Sequence, residues 1–264
     1  MASTRSWLSI ALIGAVAALN ALVWVAANRP THPPDFFGKI QGAAYSPYPF
    51  DGGPGVRAPS DAELIADLEL LGRHVGAIRT YSVLEGIDRI PRLARGTSLA
   101  ITLGSWIDRR RERNRSEIET LVATANANDN VTRVLVGNEA VLRSDLSADE
   151  LIPYIREVRR RVRQPVSIAE PSGVWLAHPE LAREVDYIAI HILPYWEEGA
   201  SDANGLAHAI GSYLKVKRAY PDKPIVITEI GWPSGGRQRY ATTPSVANQA
   251  AFLRGFFAFA ASER

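Results

Sequence analysis

The sequence predicts an α/β chain: a (β/α)8 TIM barrel with about seven β/α units, preceded by an N-terminal transmembrane helix. Three observations carry this. Seven short apolar runs rich in Val, Ile and Tyr alternate with amphipathic stretches, the pattern of βαβ units around a parallel sheet. The length of 264 residues suits one such barrel. No Gly-rich dinucleotide fingerprint or phosphate-binding loop follows the first run, which weakens the case for an open nucleotide-binding sheet.

Composition narrows the function. Hydrophobic residues make up 46% and charged residues 22%, an ordinary globular balance that excludes a disordered, collagen-like or polytopic membrane chain. Lys and Arg number 30 against 28 Asp and Glu, a net charge of +2, so no nucleic-acid partner is expected. Cysteine is absent, which removes disulfides, thiolate metal sites and a Cys nucleophile. The five histidines show no metal-ligand spacing, so neither a metal nor a cofactor is expected.

In chain order, residues 1–6 form a short tail with Arg5, expected on the cytoplasmic side. Trp7 to Ala27 runs 21 residues without a charge, long enough to span a bilayer, with Trp7 and Trp24 near its ends. It reads as a signal-anchor that leaves the rest periplasmic or extracellular; a signal peptide cleaved after Val25-Ala26-Ala27 is the alternative. Residues 28–37, with Pro30, Pro33 and Pro34, form an extended linker. The barrel occupies 38–264. Its strand runs are Lys39–Ser46, Ala77–Ser82, Ser98–Ile107, Val131–Glu139, Pro165–Pro171, Asp186–Tyr195 and Pro224–Trp232. Asp61–Val75 is a helix with apolar Leu64, Ile65, Leu68 and Leu71, capped by Ser60 or Asp61. The helix from Pro244 to about Arg264 comes last, so an eighth strand is missing and the barrel is expected to be C-terminally incomplete.

Chemistry in such barrels gathers at the C-terminal strand ends. Those ends carry Tyr45, Arg79, Tyr81, Trp106, Asn138, Glu139, Glu170, His191, Tyr195, Trp196, Glu229 and Trp232. The four Trp outside the N-terminal segment, 106, 175, 196 and 232, all fall at or just past a strand end, which suggests rings that stack on sugars. Glu139 ends the apolar Val134-Leu135-Val136, and Glu229 ends Ile225-Val226-Ile227. Strict alternation puts Ile225, Ile227 and Glu229 on one face. Each acid must be desolvated, paired or used. A structural ion pair to Arg79 or another basic residue is the bland reading; two carboxylates facing each other across one mouth is what glycosidic cleavage requires. Glu170 either orients the site or caps a helix. The runs Asp108–Arg115 and Arg159–Arg163 read as solvated faces.

V-G-N-E at 136–139 and T-E-I-G-W-P-S at 228–234 resemble the two signatures of glycoside hydrolase family 17, and R-T-Y at 79–81, Y-S-P-Y at 45–48 and P-Y-W at 194–196 support the likeness. The resemblance covers residue 38 to the end. It implies a β-1,3-glucanase or β-1,3-glucanosyltransferase of a bacterial membrane-anchored type. Glu139 would be the general acid/base and Glu229 the nucleophile of a retaining mechanism. Tyr45, Arg79, Tyr81, Trp106, Asn138, His191, Tyr195, Trp196 and Trp232 would bind substrate, with Asn138 on the sugar 2-hydroxyl. Glu229 would be held by Tyr195 or Arg79, and Glu139 would have a raised pKa. Because 138 and 139 are adjacent, both reach one site only if the strand bulges. The expected partners are a β-glucan, the membrane and, in a longer chain, a glycosyltransferase domain. A non-catalytic glucan-binding fragment is the competing class.

Overall fold

A computed structural model describes residues 4–27, 33–48 and 57–263. The chain divides into two units, Met1–Asp35 and Phe36–Arg264. The first contains α1 (Thr4–Ala27), whose apolar side chains, among them Leu12, Ile13, Leu19 and Leu22, lie exposed. By length and composition α1 can cross a membrane. Residues 28–32 of the expected linker lie outside the described residues, and 33–37 form neither helix nor strand.

The second unit runs β1 (Ala43–Ala44), α2 (Asp61–His74), β2 (Ala77–Arg79), α3 (Ile90–Leu93), β3 (Ala100–Ser105), α4 (Arg111–Ala127), β4 (Val131–Asn138) and α5 (Ala148–Arg159). It continues with β5 (Val166–Pro171), α6 (Ser172–Ala177), α7 (Pro179–Glu184), β6 (Ile188–Ile192), α8 (Gly205–Ala219), β7 (Ile225–Ile230) and α9 (Val246–Ser262). All seven predicted runs contain their strand. Ser60 caps α2 through a reciprocal box with Glu63, and Ser147 caps α5 the same way with Glu150.

The seven strands pair in parallel in sequence order, β1 to β7. Among the described residues no ladder joins β7 to β1, although their Cα atoms approach within 8 Å. The result is a nearly closed barrel with seven of the eight strands of the (β/α)8 plan.

Two apolar layers hold it. Val134, Val136, Ile168, Ile188, Ile190 and Ile192 pack with helix residues such as Leu64, Leu68, Ile118, Leu121, Leu151 and Ile155. Leu135, Ala169, Tyr187 and Ala189 form a separate cluster with Val226 inside the barrel. Successive strand residues therefore alternate between the helix layer and the interior.

Two irregularities break that alternation where it matters. Along β4, Leu135 pairs with Ser167 but Asn138 pairs with Ala169, so β4 carries one residue more than β5. This is the expected bulge, and Gly137 takes it up at φ 97°. Along β7, Ile227 pairs with Ile190 but Glu229 pairs with His191. Ile225 and Ile227 pack on the helix layer. Simple alternation, which puts Glu229 on their face, is therefore incorrect: the extra residue at Thr228 turns Glu229 to the side of His191.

Candidate active site

Glu139 and Glu229 meet at the C-terminal mouth. A carboxylate oxygen of each and a ring nitrogen of His191 all lie within 4.8 Å of one another. His191 Nδ1 lies 2.8 Å from Glu139 Oε1, and Nε2 lies 3.4 Å from Glu229 Oε1. The imidazole is buried at 1% exposure, so it is a fixed wedge between the acids.

Arg79, at the end of β2, organises the other side. Its Nη1 donates to Glu229 Oε1 at 2.6 Å, and its Nη2 donates to Asn138 Oδ1. The guanidinium covers the Tyr81 ring with its central carbon 4.4 Å from the centroid. Arg79 Nη1 also lies 3.2 Å from His191 Nε2. Arginine offers only donors, so Nε2 faces it as an acceptor and Nδ1–H is left to donate to Glu139. The ion pair named by the bland reading is thus present, but it lies inside the site.

Glu139 sits in the left-handed region, at φ 52°. For a residue with a Cβ this is a sparsely populated conformation that surrounding contacts must hold. Ala169 O accepts its N–H at 2.8 Å, and its own carbonyl accepts Arg143 N–H at 2.8 Å. Arg143 also donates to Asn138 O and lies over the Trp106 ring, 4.2 Å from the centroid. Glu170, 1% exposed at the end of β5, accepts Val141 N–H at 2.8 Å and Leu142 N–H at 3.3 Å. It therefore binds the turn after Glu139 rather than capping a helix.

The expected raised pKa of Glu139 is not met. The hydrogen bond from His191 holds its carboxyl below the usual range against the opposing effect of burial. Burial pushes Glu170 up to about 7, with the charge of Glu139 adding to it. The Tyr81 phenol is also raised, first by burial and then by the Glu229 charge. Tyr81, not Tyr195, joins Arg79 beside Glu229. The Tyr195 hydroxyl instead donates to Arg237 O at 2.7 Å.

Glu139, His191 and Glu229 could by distance alone hold a cation. Arg79 opposes one, since its Nη1 is 2.6 Å from the same Glu229 oxygen and 3.2 Å from the same His191 nitrogen. A fixed positive charge there repels a second.

A cleft of about 640 Å³ is lined by Tyr45, Tyr48, Tyr81, Trp106, Arg110 and Arg113, among others. Tyr45 is anchored through its hydroxyl to Asp67 at 2.7 Å. Trp196 is 58% exposed, edge-on to Tyr195 and beneath Arg239. The expectation of exposed rings fails for two tryptophans. Trp175 is fully buried, with Nε1 donating to Ala189 O at 2.9 Å. Trp232 is 4% exposed, packs on Phe252 at 5.6 Å and donates to Thr243 O at 3.0 Å.

Four contributors were not singled out from sequence. Arg143 is an unremarkable loop arginine until the turn brings it over Trp106. Arg110 and Arg113 belong to a run that reads as solvated, yet both face the cleft. Glu117 lies within a charged helix start but is fully buried. It accepts Ser82 Oγ–H at 2.6 Å and Val83 N–H at 3.1 Å, tying the loop after β2 to α4. The Arg159–Arg163 run does behave as a solvated face, with Arg159 paired to Asp186 and Arg161 to Glu119.

A family model described as the BtgE/BtgC glycoside hydrolase domain matches residues 42–263. The "Probable beta-glucosidase btgE" of Aspergillus clavatus is 26% identical over 221 residues, covering 81% of this chain and 38% of that protein. The chain thus spans little more than a third of that relative. A glycoside hydrolase family 17 β-1,3-glucanosyltransferase from Rhizomucor miehei superposes with a TM-score of 0.71 at 26% identity, covering 81% of this chain and 79% of that one. An active-site mutant of the Rhizomucor miehei enzyme in complex with laminaritriose gives a TM-score of 0.75 at 24% identity over 85% and 83% of the two chains.

Proposed function

Because the chain belongs to the family of the BtgE/BtgC glycoside hydrolase domain, we propose that it cleaves β-1,3-glucan with retention of configuration, using Glu229 as nucleophile and Glu139 as general acid/base. The single observation that carries this is the approach of the two carboxylates: oxygens within 4.8 Å suit direct attack on the anomeric carbon and leave no room for the intervening water of an inverting enzyme.

In the first step a Glu229 oxygen bonds to the anomeric carbon while the Glu139 proton passes to the departing glycosidic oxygen. Arg79 and Tyr81 steady the nucleophile. His191 Nδ1–H engages one Glu139 oxygen and leaves the other to carry the proton. A bound glucan excludes water and strengthens the burial that already opposes ionisation of Glu139, moving the acid toward its protonated form. In the second step Glu139 takes a proton from water or a sugar hydroxyl, which attacks the glycosyl ester and releases Glu229. With Oδ1 engaged by Arg79, Asn138 has its amide N–H groups to offer the 2-hydroxyl. Tyr45, Tyr81, Trp106 and Trp196 supply stacking faces, while Trp232 packs on Phe252.

The decisive experiment is Glu229→Ala. Hydrolysis of laminari-oligosaccharides should collapse and be partly restored by azide, with an inverted glycosyl azide as product. Undiminished turnover removes Glu229 from the role, and glucan binding without turnover by the unaltered protein favours the binding-module reading. The Rhizomucor miehei neighbour is a β-1,3-glucanosyltransferase, which supports glucanosyl transfer as the second reading. Longer or branched products from laminari-oligosaccharides would establish transfer, and only shorter ones hydrolysis.

The proposal extends to location. Single-pass anchoring of α1 in the inner membrane, with the barrel outside the cytoplasm, is supported by its uncharged span between Arg5 and Arg29. Retention in the membrane fraction after alkaline extraction tests it; release into the soluble fraction counts against it.

A further inference from the structure

The geometry points to Glu170 as a positioning residue for the acid/base: its buried carboxylate grips the turn that aims Glu139. This rests on the proposed role of Glu139. Glu139 faces the mouth from a left-handed backbone conformation, and such a conformation persists where its surroundings over-determine it. β5 supplies two of the restraints. Ala169 O takes the Glu139 N–H, and the two Glu170 oxygens take the N–H groups of Val141 and Leu142. A carboxylate matches that task, because it offers two acceptor oxygens to two nearby N–H donors and carries no donor of its own when ionised.

The cost of the arrangement argues against a merely decorative role. Glu170 is 1% exposed and forms no ion pair within 4 Å among the described residues. Burial of an unpaired acid is unfavourable, and here it is offset by the two N–H groups of the turn that its oxygens accept, so the carboxylate is retained where it holds that turn. Its proton affinity is raised by burial and then by Glu139, with Arg143 acting the other way. The charged and titratable groups facing Glu139 are His191, Arg143 and Arg79 and the Tyr81 phenol, with Glu229 across the mouth and Glu170 behind the turn.

The test separates acid catalysis from general damage through the leaving group. An aryl laminaribioside with a dinitrophenolate leaving group departs without a proton, whereas a laminari-oligosaccharide needs one. Glu170→Gln should lower kcat/KM for the oligosaccharide roughly tenfold to a hundredfold and leave the aryl substrate within about twofold. The preserved aryl activity itself reports a folded protein. Glu170→Asp, which keeps the charge but withdraws it by one methylene, should give the same pattern in weaker form and serves if the Gln variant does not fold. An equal loss on both substrates, or no loss on either, overturns the positioning role. Glu139→Ala measured alongside keeps the two readings apart. If it shows no leaving-group dependence, the acid/base assignment fails; if it does and Glu170→Gln does not, only the role of Glu170 fails.

Discussion

Arg79 Nη1 donates to Glu229 Oε1 at 2.6 Å, in a pair where the arginine is 5% and the glutamate 18% exposed. The same guanidinium reaches Asn138, so one side chain ties the end of β7 to the end of β4 across the barrel mouth. Removing one partner of such a pair strands the other charge. Arg79→Leu is expected to destabilise the fold by roughly 3 kcal/mol and to abolish measurable turnover. Arg79→Lys keeps the charge but loses the fork, so it should fall between the two. Urea midpoints and kcat/KM on laminari-oligosaccharides check both.

Gly137 absorbs the β4 bulge at φ 97°. Gly137→Ala meets no severe clash, since Ile107 Cβ would lie 3.5 Å from the new methyl. The backbone strain alone should cost about 1–2 kcal/mol, while displacement of Asn138 and Glu139 lowers kcat by roughly a hundredfold. A loss of stability with unchanged kcat would mean that the bulge does not aim the acid.

His191→Leu removes the donor that holds Glu139 below the ordinary carboxylate range. That hydrogen bond favours the ionised acid, so its loss raises the proton affinity of Glu139. The alkaline limb of the kcat/KM profile should move to higher pH. His191→Asn, with an amide N–H near the position of Nδ1–H, should leave the limb close to that of the unaltered protein. A pH profile of both variants decides it, and movement of the Leu limb to lower pH contradicts the assignment.

Glu170 carries a pH signature of its own. Its folded pKa of about 7 lies above the ordinary carboxylate value, so between about pH 4.5 and 7 the folded state holds more protons than the unfolded one. Stability contributed by the neutral form is therefore present at low pH and lost as pH rises toward 7, by roughly 3 kcal/mol in total. Glu170→Gln should flatten that part of the stability profile, measured as the change in urea midpoint between pH 4.5 and 7.

The two tryptophans after β6 and β7 should behave oppositely. Trp196→Ala removes an exposed ring and should raise KM several-fold without changing Tm. Trp232→Ala opens a hole beside Phe252 and Gly205 and should cost roughly 3–5 kcal/mol. Thermal melts and steady-state kinetics on both variants separate stacking from packing.

What could be read from sequence follows from where the information is local. The strand runs were legible because Val, Ile and Leu at strand length mark buried strands, and the two glutamates because an acid closing such a run demands an explanation. The bulge at Gly137 was inferable, since Asn138 and Glu139 are neighbours and both had to reach one site. The bulge at Thr228 was not: nothing in I-V-I-T-E-I signals an added residue, and simple alternation pointed Glu229 the wrong way. Trp232 and Tyr195 were misplaced for a related reason. A strand-end aromatic packs or stacks according to what the next helix presents, here Phe252 of α9. Glu117 was hidden because a helix start dense in arginine gives no hint that one of its acids turns inward.

The one-residue offset at Thr228 lets β7 keep Ile225, Ile227 and Ile230 on the helix layer while Glu229 stands beside His191. Removal of Thr228 would leave Glu229 directly after Ile227 and still opposite His191, whereas straightening the strand with Thr228 in place would turn Glu229 onto the isoleucine face.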